Sequence, residues 1–266
     1  MTERYGTGGS SNAQSRNQGL PLETHEEPRD ALYHRPLIAV TSGHRRAWWE
    51  GVPFRIALFL AGGRYLRLFP GSTVSPDEVD GLILSGGRDI SPRHARGKAK
   101  PGYRYNHRRD ELELWWVSQA RGRNMPVLGV CRGAQLMAVS HDGALHHAVR
   151  TAYRNARYPR HPLTAIYFRK AISLHPDSLI HRIIRAAALK VNSLHSQAIR
   201  HAGRGMIVTA REENGVIQTI EDPARPFYIG VQFHPELMIY RRRFRDIFVA
   251  LVQAARIYRR ISRAGS

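Results

Sequence analysis

From Pro36 onward, short apolar runs take turns with longer stretches whose apolar positions recur at helical spacing. Pro36-Leu37-Ile38-Ala39-Val40-Thr41 is short and almost wholly apolar, the pattern of a strand buried on both faces. Phe54 to Ala61 reads as an apolar helix, and Gly62-Gly63 is a natural stop for it. Tyr65 to Pro70 is a second strand. Ser75-Pro76-Asp77-Glu78 opens a short helix, with Ser75 as its cap and Pro76 in the first turn. Gly81-Leu82-Ile83-Leu84-Ser85-Gly86-Gly87 is a third strand running into a glycine turn. Arg88 to His107 is loop-like and basic. Arg109 to Gly122 is a helix with Leu112, Trp115 and Trp116 as its apolar surface, and Pro126 to Val130 is a fourth strand. This β-α-β-α alternation predicts a parallel sheet covered on both faces, with functional groups at the C-terminal ends of its strands.

The second half has a different rhythm. Asp142 to Pro162 is irregular and rich in His and Arg. Leu163 to Phe168, Lys170 to Leu174, Leu189 to Val191, Met206 to Ala210 and Val216 to Ile220 read as antiparallel strands, with a helix from Pro176 to Ile184 between them. Phe227 to Phe233 is a last apolar strand. A final helix, about Tyr240 to Ile261, carries Phe244, Ile247, Phe248, Leu251 and Ala255 on one face and arginines on the other. Residues 1–34 are rich in Gly, Ser, Asn, Gln and Glu and read as a disordered tail ahead of a single domain, 35–262.

At the junction after the fourth strand stands Gly129-Val130-Cys131-Arg132-Gly133, and Cys131 is the only cysteine. A strand that passes directly into a helix turns sharply, holding the corner residue in a strained conformation and requiring small neighbours two positions away. Glycines on both flanks meet that requirement. A helix N-terminus also favours a thiolate. Cys131 is therefore a candidate nucleophile; a buried free cysteine between packing glycines is the plainer reading of a lone Cys. His234-Pro235-Glu236 follows the last strand. An imidazole can take the thiol proton, and a carboxylate on its far nitrogen sets the tautomer. Acyl transfer also needs donors for a tetrahedral oxyanion. The backbone N–H of Arg132 is one candidate and the Gly86-Gly87 turn the source of a second.

Composition limits the alternatives. The 266 residues carry 41 Lys+Arg against 21 Asp+Glu, a formal charge of +20. The basic residues are spread along the chain rather than gathered on a recognisable nucleic-acid module, so nonspecific polyanion binding is the expected side effect and no specific nucleic-acid or membrane partner is predicted. One cysteine excludes an intramolecular disulfide and a Cys-rich metal site, and no H-E-x-x-H spacing occurs. No metal and no cofactor are expected. With no apolar signal region and no run of transmembrane length, the chain reads as soluble and cytoplasmic.

Taken together, these motifs resemble the class I glutamine amidotransferase superfamily, and within it the gamma-glutamyl-gamma-aminobutyrate hydrolase type, a cysteine-peptidase-like family. The resemblance runs from about Pro36 to Glu236. It rests on Ala61-Gly62-Gly63, Asp80 to Pro92, Arg109-Asp110, Gly129 to Gln135, Val191 to Ala198 and Gly230 to Glu236, in that order. It implies a flavodoxin-like, doubly wound α/β fold with a mostly parallel sheet and an antiparallel extension. It implies hydrolysis of a gamma-glutamyl amide through a thioester on Cys131, with His234 moving the proton, Glu236 orienting it, and the N–H groups of Gly87 and Arg132 holding the oxyanion. Gly86, Gln135, Asn192, Ser193 and His195 would line the substrate pocket; Gln135 can equally brace its helix, and Asn192-Ser193 can be turn residues. The chain departs from the family pattern at His195-Ser196, at Asp142-Gly143-Ala144-Leu145 and at Phe233, so the amine end is left unassigned. Partners are a small-molecule gamma-glutamyl amide and, compatibly, a second copy in a homodimer. A glutaminase subunit feeding ammonia to a separate synthetase, and a basic binding or regulatory protein on a degenerate amidotransferase fold, are the alternative readings.

Overall fold

The computed structural model describes residues 35–44, 46, 48–95, 102–154, 158–159 and 167–264. The tail of residues 1–34, most of the strand expected at Leu163–Phe168, and parts of the two basic irregular segments lie outside them.

Five strands form the parallel half of a nine-stranded sheet. They are β1 (Leu37–Thr41), β2 (Arg64–Leu68), β3 (Gly81–Leu84), β4 (Val127–Val130) and, from the far end of the chain, β11 (Tyr228–Val231). Their order is β2-β1-β3-β4-β11, all parallel. Antiparallel pairing then continues the sheet through β10 (Ile217–Glu221), β9 (Ile207–Glu212), β6 (Arg169–Leu174) and β7 (Ala188–Asn192). The fold is thus α/β, with a doubly wound parallel half and an antiparallel extension. A separate pair, β5 (Ala144–His146) with β8 (Ala198–His201), is the part that the hydrophobic pattern does not predict. Unlike β3, β4 and β11, these short strands are not apolar runs, and β5 sits in a stretch expected to be irregular.

The parallel strands alternate their side chains between two cores. Ile38, Val40, Ile83, Leu128 and Val130 face α1 (Val52–Leu60), α6 (Leu179–Ile184) and α7 (Arg242–Ala264). Ala39, Leu82, Leu84 and Val127 face α3 (His107–Gly122) and α4 (Arg132–Ser140). Two short helices, α2 (Pro92–Ala95) and α5 (Val149–Ala152), lie in the connecting segments. Both-sided burial explains why these strands read as apolar runs rather than as an alternation.

Element ends follow local chemistry. Gly62 takes a φ of +78° just after α1, and its N–H reaches Phe59 O at 3.1 Å. Ser75 closes a capping box with Glu78 around a 3-10 turn at Pro76–Glu78. Helix α6 begins at Leu179 rather than Pro176, because the Ser178 hydroxyl caps it by accepting the N–H of His181. Helix α7 starts at Arg242 and runs on to Ala264, with Phe244, Ile247, Phe248, Leu251, Val252 and Ala255 buried.

One helix face differs in part from expectation. Trp116 is buried and Leu112 packs against the core as expected, but Trp115 is exposed, at 48%. The buried face of α3 extends from Trp116, Val117 and Ala120 to Arg109, Asp110 and Glu113. Charged side chains occupy the positions nearest the strand ends because they pair with one another there, as described below. No described helix is long and apolar enough to cross a membrane.

Candidate active site

Strand β4 is buried at every position and delivers Cys131 at its C-terminal end. The turn into α4 is made in one residue. Cys131 has φ 52° and ψ −105°, a conformation that costs an L-residue free energy. The surroundings leave it no alternative. Its N–H is held by Val231 O of β11 at 2.7 Å, and its carbonyl already accepts the N–H of Gln135 at 3.2 Å. A side chain on Gly133 would run into the Leu84 carbonyl of β3, and one on Gly129 into Met137 Sδ. Helix α4 therefore packs against β3 backbone to backbone, and the strain at Cys131 is the consequence. Cys131 itself is 6% exposed.

Strand β11 lies beside β4 in parallel register, so the residue after it emerges next to the cysteine. Gln232 and Phe233 are buried, and His234 leads into a 3-10 turn at Pro235–Leu237. His234 Nδ1 meets Glu236 Oε1 at 2.6 Å. With Nδ1 committed to Glu236, the other ring nitrogen is left for the Cys131 side chain. Burial opposes a charged imidazole, but the negative charges of Glu236 and Cys131 outweigh it and hold the His234 pKa well above the usual histidine range. The arrangement favours an imidazolium at His234.

The remaining expected residues surround this pair in different ways. Gly86 lies against the His234 ring, where an added side chain would come within 2.6 Å of Cε1. Gly87 lies against Arg109, which a side chain there would strike. Asn192 clamps the His234 backbone from both ends: its Nδ2 donates to His234 O at 3.0 Å, and its Oδ1 accepts the His234 N–H at 2.8 Å. Gln135 donates to Gln197 O at 3.0 Å and to Gln232 Oε1 at 3.1 Å. Ser193 is buried. His195 is buried against the Tyr158 ring, with Nδ1 2.8 Å from Gln197 O. Burial lowers its pKa to about 4, so the ring is neutral near pH 7. Five of these residues, Gly86, Gln135, Asn192, Ser193 and His195, were expected to line the substrate pocket. The polar groups described here for Gln135, Asn192 and His195 are engaged by the protein frame.

Two groups of side chains in the site were given no role from the sequence. One is Gln232, whose amide nitrogen stands 3.7 Å from Cys131 Sγ and whose oxygen receives Gln135. The other is a buried ion network on α3 and α4. Arg132 pairs through its two terminal nitrogens with Asp110 and Glu113. Arg109 Nε donates to Glu113 Oε1 at 2.8 Å, and Thr41 Oγ1 to the same oxygen at 2.6 Å. Arg109 Nη2 reaches Ser85 O at 3.2 Å, Ser85 Oγ at 3.0 Å and Gly86 O at 2.9 Å. Burial alone would raise the Glu113 carboxyl; the two guanidinium groups outweigh it and keep it ionised. The sequence signal for this network is Arg109, Asp110 and Glu113 at i, i+1 and i+4, one helical face carrying opposite charges. Among the described residues no cluster of His, Cys, Asp and Glu suits a metal ion. A groove of about 1150 Å³ lined by Phe227, Tyr258, Arg123 and Arg185 includes none of these catalytic candidates.

Residues 73–236, which include Cys131, His234 and Glu236, match the peptidase C26 family. The chain belongs to the peptidase C26 family. Among its relatives, protein NtpR of Enterococcus hirae is 33% identical over 164 residues, covering 60% of this chain and 68% of that one. The gamma-glutamyl-gamma-aminobutyrate hydrolase of Escherichia coli strain K12 is 26% identical over 198 residues, 68% of this chain and 75% of the relative. A crystal structure of a glutamine amidotransferase from Thermotoga maritima superposes with a TM-score of 0.55 at 15% identity, covering 76% of this chain and 77% of the other. At that identity the likeness establishes the shared class I glutamine amidotransferase fold. Membership of C26 supports a hydrolase, and both the superfamily and the gamma-glutamyl-gamma-aminobutyrate hydrolase-like type expected from the motifs are the ones found.

Proposed function

We propose that this protein hydrolyses a gamma-glutamyl amide to glutamate and a free amine through a thioester on Cys131. The observation that carries the reading is the line from Cys131 through His234 to Glu236, closed by the 2.6 Å contact between His234 Nδ1 and Glu236 Oε1. The sulfur attacks the gamma-carbonyl carbon, and the carbonyl oxygen becomes an oxyanion. The N–H groups of Gly87 and Arg132 stabilise that charge. His234 gives its proton to the departing amine nitrogen, the C–N bond breaks, and the thioester remains. His234 then takes a proton from water, whose oxygen attacks the thioester and releases glutamate and the thiolate. Gln135 and the Asn192, Ser193 and His195 segment form the wall against which the glutamyl head rests; Asn192 also holds the His234 backbone, and Gln135 holds Gln232 beside Cys131.

The test is a screen of gamma-glutamyl amines, glutamine included, that follows glutamate release from the purified protein and from Cys131→Ala. At least one amide should be turned over by the native protein, and the variant should lose that activity at least about 10³-fold while melting at a similar temperature. Undiminished turnover by Cys131→Ala would sink the assignment. Ammonia release from glutamine that appears only when a second protein is added would favour the glutaminase reading.

A further inference from the structure

The chemistry proposed above needs two backbone N–H groups aimed at one point, and nothing in a glycine turn fixes that aim by itself. We infer that Arg109 and Glu113 are positioning residues that set the oxyanion hole by tying its two donors into one buried ion network. The inference rests on the hydrolase reading for its purpose but on independent contacts for its geometry.

The first donor belongs to the Gly86–Gly87 peptide. Gly86 O accepts from Arg109 Nη2 at 2.9 Å, and Ser85 O accepts from the same nitrogen at 3.2 Å. This peptide is trans, and in a trans peptide the N–H points opposite to the C=O. By fixing the Gly86 carbonyl toward its guanidinium, Arg109 turns the Gly87 N–H the other way, out of the ion network. The missing side chain at Gly87 is what lets the guanidinium come this close, since an added carbon would strike Arg109 Nη1. On its other side, the same turn lies against the His234 ring at Gly86.

The second donor is the N–H of Arg132, and its direction is tied to the same network through the Arg132 side chain. That side chain is 2% exposed and is gripped by Glu113 and Asp110. Glu113 Oε1 meanwhile takes Arg109 Nε. One carboxylate therefore bridges the arginine that orients Gly87 and the arginine that carries the other donor. Asp110 also receives the N–H of Ser91 at 3.1 Å, which binds the loop after the glycine turn to the same centre. A buried cluster of this kind is weak evidence for stability, because desolvation offsets most of the attraction. Its value here is geometric: one planar guanidinium holds Glu113 through Nε and the two carbonyls through Nη2 in a fixed relation, which the single nitrogen of a lysine cannot do.

The test compares two reactions of Cys131 that differ only in their need for an oxyanion hole. Acylation by p-nitrophenyl acetate passes through a tetrahedral oxyanion, whereas alkylation by iodoacetamide does not. Arg109→Lys should slow acylation by about 10- to 100-fold and leave the rate and pH profile of alkylation within about twofold. Ser85→Ala removes one contact of the fork without unpairing a charge; it should fold if the lysine variant does not, with a loss of a few fold in acylation alone. Circular dichroism and thermal melting establish that each variant compared is folded. Equal loss of both reactions, or loss of neither in both variants, would overturn the inference, and so would a native protein that alkylates but does not acylate. If the native protein acylates with the predicted variant pattern but releases no amine from any gamma-glutamyl amide, the substrate reading fails and the positioning role stands.

Discussion

At the scale of single residues, two buried histidines close to each other are held in opposite protonation states. His234 is kept charged by Glu236 and Cys131, while His195 is kept neutral, first by burial and then by the nearby positive groups His234 and Lys170. Their contributions to stability have opposite signs. The His234 pKa is raised, so its contribution is complete below the unfolded value of about 6.5, falls as the pH rises past that, and is gone above its folded value. The His195 pKa is depressed to about 4, so the unfolded chain binds a proton first, and stability is lost as pH falls from about 6.5 to 4. A shift of that size corresponds to about 3 kcal/mol at its limit. Urea unfolding between pH 4 and 9 checks both. His195→Gln should flatten the acid limb, and Glu236→Gln should flatten the decline on the alkaline side of 6.5. An unchanged slope in either variant would show that the assignment of its histidine is wrong.

At the scale of elements, the elbow depends on how closely α4 can approach β3. The flanking glycines were legible as a requirement for small residues, and the contacts supply the reason. Gly133 faces the Leu84 backbone carbonyl, a group that cannot rotate away as a side chain can. Gly133→Ala should therefore destabilise the fold at the upper end of the usual overpacking range, about 3 kcal/mol, read as a lower urea midpoint with an unchanged m value. Cys131 acylation should fall with it, since the helix must back away from β3. Less of α3 was legible. Of the expected apolar positions, Trp116 is buried and Leu112 packs against the core, but Trp115 is exposed and the buried face extends to Arg109, Asp110 and Glu113. Hydrophobic periodicity cannot find a face whose burial is allowed by ion pairing with residues on a different element.

For the molecule as a whole, the charge of +20 is the largest property that the catalytic proposal does not use. The arginines that do enter the site, Arg109 and Arg132, are neutralised inside it, and Arg225 is paired with Asp222 beside Tyr228. Among the described residues, Arg55, Arg64, Arg200, Arg211 and Arg260 are exposed on separate elements. We propose that the effect of the charge is diffuse attraction to polyanions rather than a specific site. Retention on heparin or on arbitrary DNA should then fall steeply with salt, be the same for any sequence, and be unchanged in Cys131→Ala. Sequence-selective binding that survives at 0.2 M salt, measured by competition, would instead favour a binding protein on this fold.

The sequence by itself determined the alternation of strands and helices, the sharp corner at Cys131 and the pairing of a histidine with a carboxylate two residues later. Each of these is set by neighbours in the chain: periodicity, glycines two positions apart, and a proline that stiffens the loop. The order of the sheet, which lays β11 beside β4 and so brings His234 to Cys131 across about a hundred residues, was decided only in the tertiary structure. So were the fates of Asn192 and Gln135, expected at the substrate and found holding His234 and Gln232. Whether a polar side chain meets a ligand or its own protein depends on which long-range partner reaches it first. That is a matter of packing between elements, which local patterns along the chain do not encode.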